Sequence, residues 1–353
     1  MAKTMKCLHL TGFHQELISV DKPLPIPTGS EVLLKVLGAG VCHSDVHIWE
    51  GGYDLGNNQA MSFEGRVRFP LTMGHESAGE VVAMGPDATG VRIGDKCLVY
   101  SFIGCGECVF CKQGDEHLCT AARFLGVNRD GGYADHIVVP HGRYLIDLKD
   151  LDPVAAAPLS CSGVTTYSAL KKAGPRIRQE KVVIIGAGGL GLMALHVLRL
   201  MGGIGAVVVE INPLKRKAAL EAGATAAIDP KAADAESQIR EAVGMPVYFV
   251  LDLVGSGETA ALGFKLVDRG GKLVVVGLFG GAVSIAVPLL VAKSATVQGS
   301  SIGSPLELRE LVAMVQATAM PAIPLDRRPL MQANAALADQ RQGKVIGRVV
   351  LVP

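Results

Sequence analysis

Aromatic side chains are scarce in this chain. They make up 5% of its 353 residues, with a single tryptophan, and form no series of stacking platforms. An excess of either charge is also lacking: 34 Lys plus Arg face 33 Asp plus Glu, for a formal net charge of +1. No block of like charge occurs, so nucleic acid and anionic membrane are not expected partners, because both are held by clustered cations. Long apolar runs are missing too. Glycine interrupts each one before the ~18 residues of a membrane span. The opening MAKTMKCLHLTGFHQE carries no apolar segment of signal-peptide length. A cytoplasmic protein with reduced thiols is therefore expected.

Apolar mass and metal-ligating residue types are what the chain does have. Apolar residues make up 49%, enough for a sizeable core. The length exceeds the ~250–300 residues at which one core stops growing, so two domains are expected. Seven of the eight cysteines and eight of the nine histidines fall in residues 1–150. That portion reads as short strands, at 31–37, 78–84, 96–100 and 134–139, separated by Gly, Pro and Asp turns. Its texture is that of a mostly-β lobe.

The pattern changes near Ala155. Six Val-, Ile- and Leu-rich strands are predicted at 181–185, 206–210, 226–229, 247–254, 272–278 and 296–300, with helical stretches between them. Nearly continuous apolar strands joined by helices indicate a parallel sheet covered on both faces, and hence an α/β, doubly wound nucleotide-binding fold. A helix at 306–317 and a last strand at 348–352 follow. The predicted division is 1–154 plus 293–353 for one domain and 155–292 for the nucleotide-binding domain.

At the end of the first parallel strand stands Gly186-Ala-Gly188-Gly189-Leu190-Gly191. Gly186 permits a tight turn, Gly188 lets the backbone approach a pyrophosphate, and Gly191 lets helix and strand pack closely. The helix N-terminus then offers N–H groups to the phosphates. Nineteen residues after Gly191, Glu210 ends the second strand, where a carboxylate accepts hydrogen bonds from ribose hydroxyls and repels a 2′-phosphate. NAD is therefore expected over NADP. Lys215 is a candidate for the same ribose, with an ordinary exposed helix position as the alternative.

Cys105, Cys108, Cys111 and Cys119 form a C-x2-C-x2-C-x7-C loop. Four thiolates so spaced can close a tetrahedral zinc site with no open position, which makes it structural. Disulfides and an iron–sulfur cluster are the alternatives. His117, inside the loop, is expected at the surface. Three more segments hold potential ligands: Cys42-His43-Ser44-Asp45-Val46-His47, Gly74-His75-Glu76, and Cys161 in Cys161-Ser162-Gly163-Val164-Thr165-Thr166-Tyr167. Singly, each is ambiguous, because a lone Cys or His is more often a buried thiol or a satisfied histidine.

Taken in this order along the whole chain, the motifs C-H-S-D-x-H, G-H-E, the four-cysteine loop, C-S-G-x-T-T-Y and G-A-G-G-L-G resemble the zinc-containing medium-chain alcohol dehydrogenase family. The likeness is strongest to its bacterial, yeast-like NAD-dependent members. It implies a Rossmann domain plus a GroES-like catalytic domain, and two zinc ions per subunit. Two thiolates and an imidazole are the known catalytic zinc set of alcohol dehydrogenases, so the assignment of Cys42, His75 and Cys161 follows from the resemblance. Glu76 would lie close behind the metal as an occasional ligand, and Asp45 would orient His75.

The resemblance also implies a proton relay from the substrate hydroxyl through Ser44 and the ribose 2′-hydroxyl to His47. It places His43 and Arg348 near the pyrophosphate, and Thr165, Val276 and Leu278 near the nicotinamide. Cys7 and Cys97 match no ligand position and read as buried thiols. The segment 50–70 is longer than in the yeast-like enzymes and is expected beside the substrate pocket or at a subunit contact. Trp49, Phe102 and Leu278 are the expected pocket lining, with core packing as the alternative. Such a pocket favours aliphatic, alicyclic or aromatic alcohols or ω-hydroxy acids. A homodimer or homotetramer is implied. The rival readings are a zinc-independent quinone reductase of the same superfamily and a non-catalytic NAD- or zinc-binding protein.

Overall fold

The computed structural model describes residues 3–244, 246–318 and 323–353. The chain forms two compact units. One holds the residues up to Gly52 together with Ser62–Val164 and Ser304–Pro353; the other holds Tyr53–Met61 and Thr165–Gly303. The breaks thus differ from the expected 154/155 and 292/293. The short helices Pro153–Ala156 and Ala157–Ser160 pack on the strands Val32–Val41, Glu76–Met84 and Lys96–Val99, which keeps them with the first unit. The strand Thr296–Gly299 pairs with Lys272–Val275 and stays with the second.

The first unit is built on a seven-stranded mixed sheet in the order Leu145–Asp147, Lys96–Val99, Glu76–Met84, Val32–Val41, Arg348–Val352 and Leu325–Pro329, with His136–Val139 also paired to Val32–Val41. Val32–Val41 is its spine. Its buried residues Val32, Leu33, Leu34, Val36, Ala39 and Val41 meet a core shared with Val349, Val350 and Leu351. The register sets Gly40 opposite Glu76 on one side and opposite Val350 on the other. Past Val41 the chain turns at Cys42 into the helix His43–Glu50. A second sheet joins Ile18–Pro23, Thr4–Leu10 and Leu71–Thr72.

The second unit is a six-stranded, all-parallel sheet in the order Ala226–Ile228, Ala206–Val209, Val182–Ile185, Phe249–Asp252, Lys272–Val275 and Thr296–Gly299. Numbered along the chain, that order is 3-2-1-4-5-6, so the topological switch falls between Val182–Ile185 and Phe249–Asp252. Ligands of such sheets bind at that switch, outside the carboxyl ends of the strands. Val183, Val207, Val250 and Leu273 bury one face against Ile239 and Val243 of helix Ala235–Val243 and Phe264 of helix Gly257–Leu266. Each predicted parallel strand is present and shorter than expected by one to four residues, because the ladder stops where the chain leaves for the next turn. Leu278, predicted within a strand, lies on the turn that follows Val275 and is 51% exposed.

No helix among the described residues is long and apolar enough to cross a membrane.

Candidate metal centres and nucleotide loop

Cys42, His75, Glu76 and Cys161 come from three separated segments, and their ligand atoms all lie within 4.8 Å of one another, with every residue buried. The strand register explains the first three: Gly40 pairs with Glu76, so the residues just beyond, Cys42 and His75, leave the sheet side by side. Cys161 follows the short helix Ala157–Ser160, which packs on the strand Glu76–Met84.

One carboxylate aligns this cluster. Asp45 is fully buried. Its Oδ1 lies 3.1 Å from His75 Nδ1, and its Oδ2 accepts the Cys42 N–H at 2.9 Å and the Tyr133 O–H at 2.9 Å. With Nδ1 engaged there, Nε2 is the imidazole atom available to a metal. Burial alone would lower the His75 pKa, but the Asp45 charge and hydrogen bond outweigh it and hold the imidazole well above its ordinary value. Tyr133 carried no recognisable motif in the sequence. Its role follows from the turn that returns the chain beside Met73, to whose carbonyl its N–H donates at 2.9 Å.

The Cys161 thiol donates to Cys42 and holds that sulfur well below the usual thiol range, while its own value is pushed well above it. Behind them, Glu76 Oε1 accepts from Arg348 Nη2. Its second oxygen, Oε2, is buried with no hydrogen-bond partner among the described residues. Burial pushes the Glu76 carboxyl up to about 7 against the opposing pull of Arg348. The carboxylate crosses directly over Gly40, where an added Cβ would stand 2.1 Å from Oε2. Glycine is therefore required at position 40 by space rather than by backbone angle.

These residues fit a zinc ion. Two thiols and an imidazole are its preferred donors, Glu76 adds a carboxylate oxygen to the same cluster, and its carboxylate has hydrogen-bonding capacity left over. The four-cysteine loop fits a second ion. Its sulfurs also lie within 4.8 Å of one another. Cys108 and Cys111 are 3.5 Å apart and Cys105 and Cys111 3.9 Å apart. A tetrahedron of ~2.3 Å zinc–sulfur bonds has edges of about 3.8 Å. The Glu107 and Cys108 amides hold the exposed Cys105 thiol down at about 6. Buried Glu116 accepts from Gly104 N–H at 3.0 Å and from Tyr144 O–H at 2.7 Å, which braces the loop. His117 is half-buried rather than at the surface. None of the eight cysteines is paired in a disulfide. Cys7 and Cys97 are buried in strands, and burial pushes Cys97 up to about 12.

In the second unit the glycine loop has the form expected of a pyrophosphate cradle. Gly186 turns with φ 97°. A Cβ on Gly191 would lie 2.1 Å from the Gly186 carbonyl, whereas one on Gly188 would meet nothing within 4 Å. The loop is thus tight where helix meets strand and open where a ligand must approach. Gly188 caps the helix Gly189–Leu200. Glu210 Oε2 accepts from Ala187 N–H at 2.8 Å and Oε1 from Asn212 N–H at 2.8 Å, which ties the acid to the loop. Arg216 was missed in the sequence. It donates to the Glu210 and Ile211 carbonyls, both at 2.8 Å, and pairs with Asp229 at 3.0 Å. Lys215 is half-buried, its own N–H 3.4 Å from the Asn212 cap.

The remaining expected positions have these partners. Arg348 is 3% exposed, and its Nη2 donates to Glu76. The Trp49 Nε1 donates to the Gln15 carbonyl at 2.7 Å, and Arg341 stacks over the Trp49 ring at 5.0 Å. The Val276 N–H is engaged by the Asp252 carbonyl at 2.8 Å, so its own carbonyl is the group it can offer. Phe102 is buried 6.3 Å from the His75 ring, among Tyr100 and Phe124. Ser44 and His47 share the helix His43–Glu50. His47 is 9% exposed, its ring 5.1 Å from that of exposed His43. Thr165 is buried in the helix Ser162–Lys171.

Known proteins show the same architecture. Residues 28–150 match the alcohol dehydrogenase GroES-like domain and residues 189–317 match the zinc-binding dehydrogenase family model. The NAD-dependent alcohol dehydrogenase of Sulfurisphaera tokodaii is 37% identical over 350 residues, covering 99% of this chain and 100% of that one. The D-arabinose 1-dehydrogenase (NADP(+)) of Saccharolobus solfataricus is 33% identical, covering 100% and 99%. The crystal structure of the alcohol dehydrogenase of Aeropyrum pernix has a TM-score of 0.88 at 30% identity, covering 99% of this chain and 100% of the other.

Asp45→Asn replaces an acceptor of three hydrogen bonds with a group that cannot accept them all. Zinc affinity at the Cys42–His75–Cys161 cluster is expected to fall by about 10- to 100-fold, read by competition with a chromogenic chelator. Unchanged affinity would remove Asp45 from the orienting role.

Proposed function

The chain belongs to the zinc-containing medium-chain alcohol dehydrogenase family, and from that premise we propose that this NAD-dependent enzyme exchanges hydride between NAD and primary or secondary alcohols of apolar body. It works with one catalytic and one structural zinc per subunit. The observation that carries this reading is the buried donor set of Cys42, His75 and Cys161, with its imidazole aligned by Asp45. Bound there, zinc would supply a Lewis acid that makes a substrate hydroxyl more acidic, and NAD would supply the hydride acceptor. Oxidation of the alcohol then leaves one proton to be removed.

The chain's own residues hold and move that proton. Ser44 and His47 stand one turn apart on the same helix, so their side chains share a face. Ser44 takes the proton from the substrate, and His47 receives it towards solvent. Burial first, and then neighbouring His43, depress the His47 pKa below 6.5. The imidazole therefore stays neutral, and able to accept, throughout the range above that value. Phe102, packed near His75, supports an apolar wall for the substrate body. Aliphatic, alicyclic and aromatic alcohols and ω-hydroxy acids are the classes assigned to it. Glu210, tied to the glycine loop, and Arg216, neutralised by Asp229, support NAD over its 2′-phosphate.

The reduced thiols of two zinc sites suit a cytoplasmic enzyme. A homodimer or homotetramer is supported by the strand Thr296–Gly299, which ends the parallel sheet, and by Val287 and Val291, which are 69% and 70% exposed nearby. Light scattering is expected to return a multiple of 36.9 kDa; a monomer at assay concentration would remove the oligomer.

A panel of short, long, cyclic, aromatic and ω-carboxylated alcohols, with pentoses beside them, is to be followed by NADH absorbance. The expected order is apolar alcohols above pentoses, and the reverse order would overturn the substrate class. In parallel, Cys161→Ser is expected to retain one zinc of two and lose activity; two retained zincs with full activity would break the ligand set.

His47→Gln is expected to slow oxidation about tenfold or more below about pH 7 and to approach the unsubstituted rate at alkaline pH, where hydroxide takes the proton. Equal loss at every pH would exclude His47 from the relay.

A further inference from the structure

The segment following the helix His43–Glu50 was expected beside a substrate pocket or at a subunit contact. It forms a hairpin, Gly52–Gly56 and Gln59–Ser62. Asn57 and Asn58 close it with φ 52° and 61°, the two positive angles of a type I′ turn. Asp54 Oδ1 accepts the Gly56 N–H at 2.8 Å and stiffens it. Its residues Tyr53–Met61 group with the parallel-sheet unit, against the turn that leaves the strand Lys272–Val275.

Three layers of backbone meet there. The turn after Phe249–Asp252 comes first: its Val254 and Gly255 carbonyls accept the Phe279 and Gly280 N–H groups, both at 3.1 Å. The turn 276–282 lies second. The hairpin is third: its Asp54 carbonyl accepts the Gly281 N–H at 3.1 Å. All the close approaches are between backbones. A Cβ on Gly255 would stand 1.8 Å from the Gly277 carbonyl, and one on Gly56 would stand 2.6 Å from the Ala282 nitrogen. Meanwhile Leu278 and Phe279, on the same turn, are 51% and 69% exposed. Their side chains contribute little packing, so the turn is shaped by the backbone on either side of it.

In a doubly wound sheet the first three strands serve one half of a dinucleotide and the last three serve the other. Gly186 and Glu210 stand on the first half, which leaves the carboxyl ends of the second half, and the turn 276–282, to the nicotinamide half. We propose that the Tyr53–Met61 hairpin is a prop that sets the turn 276–282, and is thereby a positioning element for the nicotinamide half of NAD. This rests on the reading of the protein as an NAD-dependent enzyme. The hairpin is a positioning element and acts through Gly281 and Ala282.

Gly56→Ala pushes the hairpin off the turn. Gly65→Ala is its control: Gly65 has φ 73° against 75° at Gly56, but its added Cβ would meet nothing within 4 Å. Both share the left-handed φ, and only at Gly56 does the added Cβ meet a neighbour. Asp54→Ala, which loosens the hairpin without adding bulk, is the variant to use if Gly56→Ala folds poorly by zinc content. Two probes are titrated into each protein: NADH by fluorescence, and ADP-ribose, which lacks the nicotinamide, by calorimetry. Gly56→Ala is expected to weaken NADH by about tenfold, because the competent turn is populated less, and to leave ADP-ribose within about twofold. Asp54→Ala should show the same split to a smaller degree, and Gly65→Ala should match the unsubstituted protein. NADH affinity unchanged in Gly56→Ala and Asp54→Ala, or both probes weakened equally, would overturn the proposal. Absence of NADH binding by the unsubstituted protein would overturn the cofactor reading itself, and the prop with it.

Discussion

A buried carboxylate organises the metal centre. Asp45 carries charge where no water reaches it, and burying such a charge is costly unless hydrogen bonds replace the lost solvent. Three do: from the Cys42 N–H, the Tyr133 O–H and His75 Nδ1. Each partner lies on a different stretch of chain, so satisfying one charge fixes three segments together. Two of them, Cys42 and His75, belong to the candidate zinc cluster. The imidazole tautomer, the start of the helix His43–Glu50 and the turn before Glu76 are settled by the same group.

Glu76 and Arg348 repeat that logic on the far side of the ligands. The guanidinium is 3% exposed, and burial by itself lowers its pKa, but Glu76 beside it more than offsets this. The pair spans three neighbouring strands, since Gly40 lies between Glu76 and Val350 in the ladder. A side chain at position 40 would separate the pair. Glu76 Oε2 is left without a hydrogen bond among the described residues, and the same carboxylate offers an oxygen to the Cys42–His75–Cys161 cluster.

Much of this was legible beforehand because it is local. The glycine loop, the cysteine spacing and the run of apolar parallel strands each depend on residues close in sequence, and their backbone angles and periodicities are written there. The side-chain partners have a different origin. Position along the chain does not fix where Trp49 and Arg348 reach, because a long side chain can turn to either side of its backbone. Trp49 went to Gln15 and Arg341, and Arg348 to Glu76. Tyr133 and Arg216 belong to no motif. They matter only because the fold brings them to Asp45 and to the end of the strand Ala206–Val209. The hairpin at 53–61 could be seen as extra length, but not as a partner of Gly281 across more than two hundred residues of chain.

The sequence by itself determined the chemistry available: six thiols and an imidazole in zinc-ligand spacing, a glycine turn ahead of a helix, and an acid at the next strand end. It did so because ligand identity, turn glycines and strand periodicity are properties of single residues and short windows. The tertiary structure alone decided which groups share a proton, which carboxylate oxygen goes without a partner, and which loop leans on which. Those outcomes depend on distances between strands far apart in the chain, and only the register of the sheet and the exclusion of water around it set such distances.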